Sequence, residues 1–451
     1  MSETESQTSI SKKEILKFAV PSMMEDLFTT FTSIIDSKMV SVLGISYISA
    51  VSVTNQPKFF IFAPFYAINT VLSSLISFYY GRNDRKKANS IFLTGIYSAI
   101  ILSIVLGILS CIFAAPIMEL CSGQDDTLNL SVTYFRIVMG GMIFNQLLLA
   151  INAGLRGYGK TMLSFTSNAI SCIVNICLNY LLIEGHFGFP ALKIAGAAIA
   201  TVGGTLAAFI YVLIYVIKET NYLSISYSVK NKIHASITSL KEMWGMWKET
   251  FIENILMRFG FLISSAILAR TGSFQVSVYS VASLMLSINY AFGRGFLSAA
   301  IVLIGRSHGA GRNDMIKKYS QVLLRISIIC SVISAVVIAL IAKPYILLYS
   351  SDSDFVRLGI ISCIFVAAIS LFQVPKVTLT GMLQGLGMMK QSKLAAIWAA
   401  LLFQPICNVL LVIVLDLNIY GVLISGLLTQ FVWCLSSGYY YYKSLSRMDG
   451  I

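Results

Sequence analysis

Glu25, Asp26 and Asp36 stand inside an otherwise apolar run at 14–44, EILKFAVPSMMEDLFTTFTSIIDSKMVSVLG, which is long enough to cross a bilayer. A carboxylate at that depth is costly unless it faces a bundle interior or a wet cavity, where it can hold a cation or load and release a proton. Glu25 and Asp36 are 11 positions apart, about three helical turns, so they share one face. Thr29, Thr32 and Ser33 fill the stripe between them. A cavity wall is the favoured reading of that stripe; structural hydrogen bonding to neighbouring helices is the alternative. Basic residues accompany the acids. Lys58 falls about twelve residues into the next apolar run, near mid-membrane, and needs a partner there, for which Glu25 and Asp36 are the candidates. Arg258, Arg294 and Lys376 add positive charge to the second half of the chain. A site lined this way suits an anionic or zwitterionic ligand, with structural pairing left open.

The elements that position these groups recur. MMEDLF at 23–28 is answered by FIENIL at 251–256, an offset of 228 that places Glu253 on Glu25. Leu43-Gly44 falls on Thr271-Gly272, AAPIMELCS at 114–122 on AKPYILLYS at 342–350, and LRGYG at 155–159 on LQGLG at 383–387, all at 228. GRND at 81–84 returns at 311–314, offset 230. Internal repeats of this kind mark transporters. Asp36 has no acidic mate, because 228 further on the residue is Ser264.

Of the 451 residues, 57% are hydrophobic and 12% charged, about half the charged fraction of a soluble domain. Apolar runs between polar punctuation define an all-α polytopic membrane protein with about twelve transmembrane helices. They form two six-helix lobes related by internal repeat: residues 1–217, a connecting loop at 218–245, and residues 246–451. The WGMWKE stretch at 244–249 reads either as an interfacial amphipathic helix or as an aromatic anchor. The net charge of +13 excludes nucleic acid as partner by its placement, since Lys and Arg sit in alternate loops while the opposite loops lean acidic. That alternation expects both termini in the cytoplasm and the chain in the cell membrane. The polar start MSETESQTSISKK lacks the apolar core of a signal peptide, so the first helix is expected to direct insertion. The eight cysteines form no CxxC pair, and His186, His234 and His308 lack metal-ligand spacing. No catalytic motif appears, so neither enzyme activity, cofactor nor resident metal is expected.

Six helices per half, FAVPSMMEDLFTTFTSIIDSKMVSVLG as the first, GRND after the second, LRGYG after the fourth and the matching second half together resemble the multidrug and toxic-compound extrusion (MATE) family. The resemblance implies a monomeric secondary antiporter that exports small amphipathic, often cationic compounds in exchange for H+ or Na+ by alternating access. A flippase for lipid-linked precursors, of the same broad superfamily, is the alternative. Family positions carry over unevenly. The first-helix aspartate matches Asp36; the fifth-helix asparagine matches Asn175, but the aspartate expected four residues later reads Asn179; the sixth-helix threonine matches Thr201. The seventh-helix glutamate matches Glu253, and the acid expected in the tenth helix reads Gln373. The resemblance thus implies proton or cation coupling at Asp36, Asn175, Asn179 and Thr201. Substrate or cation binding in a cleft is expected of Glu25, Glu253, Lys58, Arg258 and Gln373.

Overall fold

The computed structural model describes residues 12–122 and 125–449, and among them every regular element is helical. The polar leader before Lys12 lies outside the described residues. The first helices are α1 (Lys12–Ser41), α2 (Ile45–Gly81), α3 (Arg85–Ile112), α4 (Ala114–Ser122), α5 (Asp125–Gly140), α6 (Met142–Gly157), α7 (Thr161–Leu182) and α8 (Lys193–Ile217). There follow α9 (Ile225–Lys230), α10 (Ile237–Ala269), α11 (Ser273–Gly309), α12 (Asn313–Leu347) and α13 (Ser353–Gly385). A helix Met389–Val414 and a final helix Asn418–Asp449 complete the chain.

Ten of the described helices are long and apolar enough to cross a membrane, and α5 with α6, bent by 49°, makes an eleventh span. The apolar run at about 129–153 is therefore broken rather than one continuous helix. Its break falls at Gly140-Gly141, where a Cβ on Gly141 would stand 2.4 Å from Val202 of α8. The 30-residue α1 is long enough to cross as well, but Glu25, Asp26 and Asp36 make it too polar to count among those spans. Large apolar side chains such as Ile329, Ile333 and Leu340 of α12 point outward, as helices solvated by lipid require.

The described residues divide into two compact units, Met24–Trp247 and a second made of those through Met23 together with those from Lys248 on. In the first, Phe65, Leu72, Ile76, Phe92, Phe135 and Met139 anchor one continuous core. The long connection after α8 is folded onto this unit. Asn89 of α3, fully buried, donates through Nδ2 to Arg85 O at 2.8 Å and Tyr222 O at 2.9 Å and accepts from Ser224 N at 2.9 Å. The Arg85 guanidinium donates to the carbonyls of Glu219, Asn221 and Tyr222 and stacks on Tyr227. The tryptophan stretch is continuous with α10: Trp244 stacks on Trp247, whose indole donates to Pro64 O at 2.9 Å. In the second unit, Ile15, Phe18, Ala19 and Met23 of α1 pack against Phe296, Ala299 and Leu303 of α11. Met23 approaches so closely at Gly295 that any Cβ there would clash. The first helix thus contributes its beginning to one unit and its remainder to the other.

Backbone geometry makes the duplication visible. Gly44 and Gly272, both with strongly positive φ, precede α2 and α11, and Gly159 and Gly387 repeat the same device, again 228 apart. Asn83 (φ 58°) and Gly311 (φ 68°) also pair at 228. The identical GRND tetrapeptides are consequently two residues out of structural register: the turn conserves its left-handed position, which asparagine and glycine tolerate, rather than the letters.

Candidate functional site

Glu25 and Asp36 do lie on one face of α1, and the helix that meets them is α7. Asn168 Nδ2 donates to Glu25 Oε1 at 2.8 Å, and Asn179 Nδ2 donates to Asp36 Oδ1 at 2.7 Å. Both pairs are 143 residues apart in sequence, so α1 and α7 run side by side in the same direction with matched three-turn spacing. The two acids then part company. Glu25 is held by Arg156 of α6, whose Nη1 lies 3.0 Å from Oε1. Asp36 has no basic partner within 4.0 Å among the described residues. The Asn175 amide, one turn before Asn179, lies 2.7 Å from Asp36 Oδ1 and 3.2 Å from Thr201 N; assigned so that its nitrogen faces the carboxylate, it donates to Asp36 and its oxygen accepts from Thr201 N. The close approach of α8 that brings Thr201 there depends on Gly204, where a Cβ would stand 2.6 Å from Ser171 O. Asn175 and Asn179 are buried, 5% and 1% exposed, so their amides are fixed by these bonds.

Asp36, Asn179, Thr201, Lys58 and Tyr134 line a cavity of about 230 Å³ within this unit. A second chamber of about 190 Å³ is walled by Phe59, Phe62, Tyr66, Val138 and Met142, and Asn55, Lys58 and Thr201 border both. Together the chambers fall in the lower part of the range of small-molecule sites, about 300–1,000 Å³. The expectation that Glu25 or Asp36 neutralises Lys58 is corrected: neither makes an ion pair with it, Glu25 being taken by Arg156. The Lys58 ammonium stands 5.5 Å from the centroid of the Tyr134 ring instead.

The other unit holds a separate polar cluster. Glu253 of α10, 3% exposed, accepts from Ser392 Oγ at 2.9 Å, and its Oε2 has no hydrogen-bond partner among the described residues. Lys376 of α13 is buried within electrostatic range of Glu253 and lies 4.0 Å from the Trp433 ring centroid. Gln373, one turn before Lys376, accepts a hydrogen bond from Asn289 of α11. Arg258 is half-buried on α10, five residues beyond Glu253. The structure thus brings Asp36, Asn175, Asn179, Thr201 and Lys58 together, and in the other unit sets Glu253 near Lys376, with Gln373 paired to Asn289. Asn168, Tyr134, Asn55, Ser392 and Asn289 escaped the sequence reading. Only Asn168 carried a signal, its 11-residue spacing from Asn179 matching that of Glu25 from Asp36.

Internal repeats in a polytopic membrane protein, with carboxylates set inside its helices, recur among membrane transporters. The family model MatE matches this chain twice, over residues 21–181 and 250–410, and the chain belongs to that family, the MATE transporters. It is 23% identical to the probable multidrug resistance protein NorM of Thermotoga maritima, covering 83% of this chain and 80% of the relative. It is 24% identical to the multidrug export protein MepA of Staphylococcus aureus over 94% of this chain and 92% of the relative. In fold it is similar to a solved outward-facing multidrug resistance MATE family transporter of the MOP superfamily. That likeness has TM-score 0.89 and 18% identity, covering 97% of this chain and 96% of the other.

Proposed function

We propose that this protein is a proton-coupled antiporter that exports small amphipathic molecules by alternating access, with Asp36 as the coupling carboxylate. The observation that carries the reading is the convergence of Asp36, Asn175, Asn179 and Thr201 from three helices onto one cavity-lining cluster. The names given to NorM and MepA support drug export as the task. The polarity of the cluster favours protons over sodium. A hard cation needs about six oxygen ligands with net negative charge, whereas here one carboxylate stands alone, with amide nitrogens facing it and the ammonium of Lys58 on the same wall. Protonation of Asp36 removes the charge that both amides solvate and so loosens α1 from α7, which is the conformational step the cycle needs. Glu253, with Lys376 near it, is a second candidate binding group within its own unit. On the loop charges, both termini face the cytoplasm.

Purified protein in sealed vesicles, with proton and sodium gradients imposed separately, tests this. A proton gradient alone should drive export of a cationic fluorescent dye, and Asp36→Asn should abolish that drive while the protein still binds dye. Export driven by sodium alone, or gradient-driven export surviving in Asp36→Asn, sinks the assignment.

A further inference from the structure

Lys58 has no part in the coupling step, yet it borders both chambers. No ion pair within 4.0 Å and no hydrogen bond ties it down among the described residues; the Tyr134 ring is its neighbour. An uncompensated ammonium in a poorly solvated site is costly, so a bound molecule that neutralises it gains what the protein itself does not supply. Three charge types can be weighed against this wall. A simple cation satisfies Asp36 and leaves Lys58 unpaired. A simple anion satisfies Lys58 but leaves Asp36 to be neutralised by a proton, so anion and proton would travel together rather than exchange. A dipolar molecule satisfies both, and a proton arriving at Asp36 competes with its cationic end, which is what exchange requires.

The geometry points to Lys58 as the residue that sets substrate class: it binds the acidic group of a dipolar amphiphile. The cationic end of such a molecule faces Asp36, and its apolar body lies in the chamber of Phe59, Phe62 and Tyr66. This deepens the proposed exporter and rests on that reading for the role of Asp36, but the recognition by Lys58 can be measured apart from transport.

The probe is a rhodamine dye with a free carboxylate, paired with the methyl ester of the same dye, a permanent cation of nearly identical shape. Binding to the purified full chain is read by fluorescence polarisation at neutral pH. Wild type should bind the free acid at least tenfold more tightly than the ester, Lys58→Arg should keep the preference, and Lys58→Met should bring the ratio to about one. Equal affinities in wild type, or an unchanged ratio in Lys58→Met, overturn the proposal. Should Lys58→Met fail to purify as a single species, Lys58→Gln is read by the same criteria. Asp36→Asn in sealed vesicles separates the two readings. Gradient-driven export that survives it removes the proton assignment, while the Lys58-dependent ratio still decides the substrate class.

Discussion

Glu25 and Asp36 occupy the same face of α1 but have different surroundings, and exchanging each for its amide should separate structural from coupling carboxylates. Glu25→Gln leaves the Arg156 guanidinium facing a neutral group where it now meets the carboxylate at 3.0 and 3.4 Å. The two side chains retain 18% and 13% exposure, for Arg156 and Glu25 respectively. Removing one partner of a fully buried pair costs about 3–5 kcal/mol, whereas an exposed pair is worth at most about 1 kcal/mol. At these exposures a cost of about 2 kcal/mol follows, since Gln keeps an oxygen for Asn168 and the loss is mainly one of charge. In a domain of 150–250 residues each kcal/mol shifts the midpoint by about 2–4 °C, and less in a longer chain, so a fall of about 2–4 °C is expected. Tryptophan fluorescence of the purified protein, scanned at one fixed rate, reads it. Glu25→Gln with Arg156→Met should recover most of the loss, because the stranded guanidinium is gone. Proton-driven exchange should persist in both. An unshifted midpoint together with collapsed exchange would refute the reasoning and return Glu25 to the binding residues expected from its position.

Two further outcomes follow from other parts of the structure. Glu253→Gln should reduce exchange at least tenfold, about 1.4 kcal/mol, because Lys376 loses its acidic neighbour; wild-type exchange in vesicles would make Glu253 structural. Asn89→Ala removes the bonds that dock the connection after α8, at about 1–3 kcal/mol for stranded buried groups, and should hasten limited proteolysis between 218 and 236. An unchanged cleavage rate would show that the other α3 contacts, those of Arg85, Ser90 and Thr94, hold this segment without Asn89.

The spans, the duplication and the shared face of Glu25 and Asp36 were legible because each is a periodic property of one helix. What a helix meets is a different matter. Nothing in the spacing of Lys58 excluded Glu25 as its partner; Arg156, a distant residue on α6, takes that acid instead. Tyr134 and the aromatic chamber were hidden for the same reason, since Phe59, Phe62 and Tyr66 look like any lipid-facing or core residues until α5 and α6 are packed beside them. The bend at Gly140-Gly141 was not legible, since it depends on how closely Val202 of α8 approaches. GRND misled in the opposite direction, for identical letters drew attention from the left-handed position that the turn conserves.

The second copy of the Asp36 site keeps the helix pairing but not the charge. Ser264, the repeat mate of Asp36, accepts from Asn408 Nδ2 at 2.9 Å, the counterpart of the bond from Asn179 to Asp36. Asn408 lies 229 residues after Asn179 rather than 228, and Gln404 stands one turn before it as Asn175 does before Asn179. The extra residue is absorbed by the π-helical turn Ile397–Phe403, which precedes them. A π-turn accommodates one additional residue while restoring the face beyond it. The helix pair, the amide donor and its target position are therefore retained in both copies, and the carboxylate is what differs. A structural need shared by the two halves is met by the bond itself, which a serine hydroxyl accepts as well as a carboxylate does. The charge at Asp36 exceeds that need, and the excess is what a proton can act on.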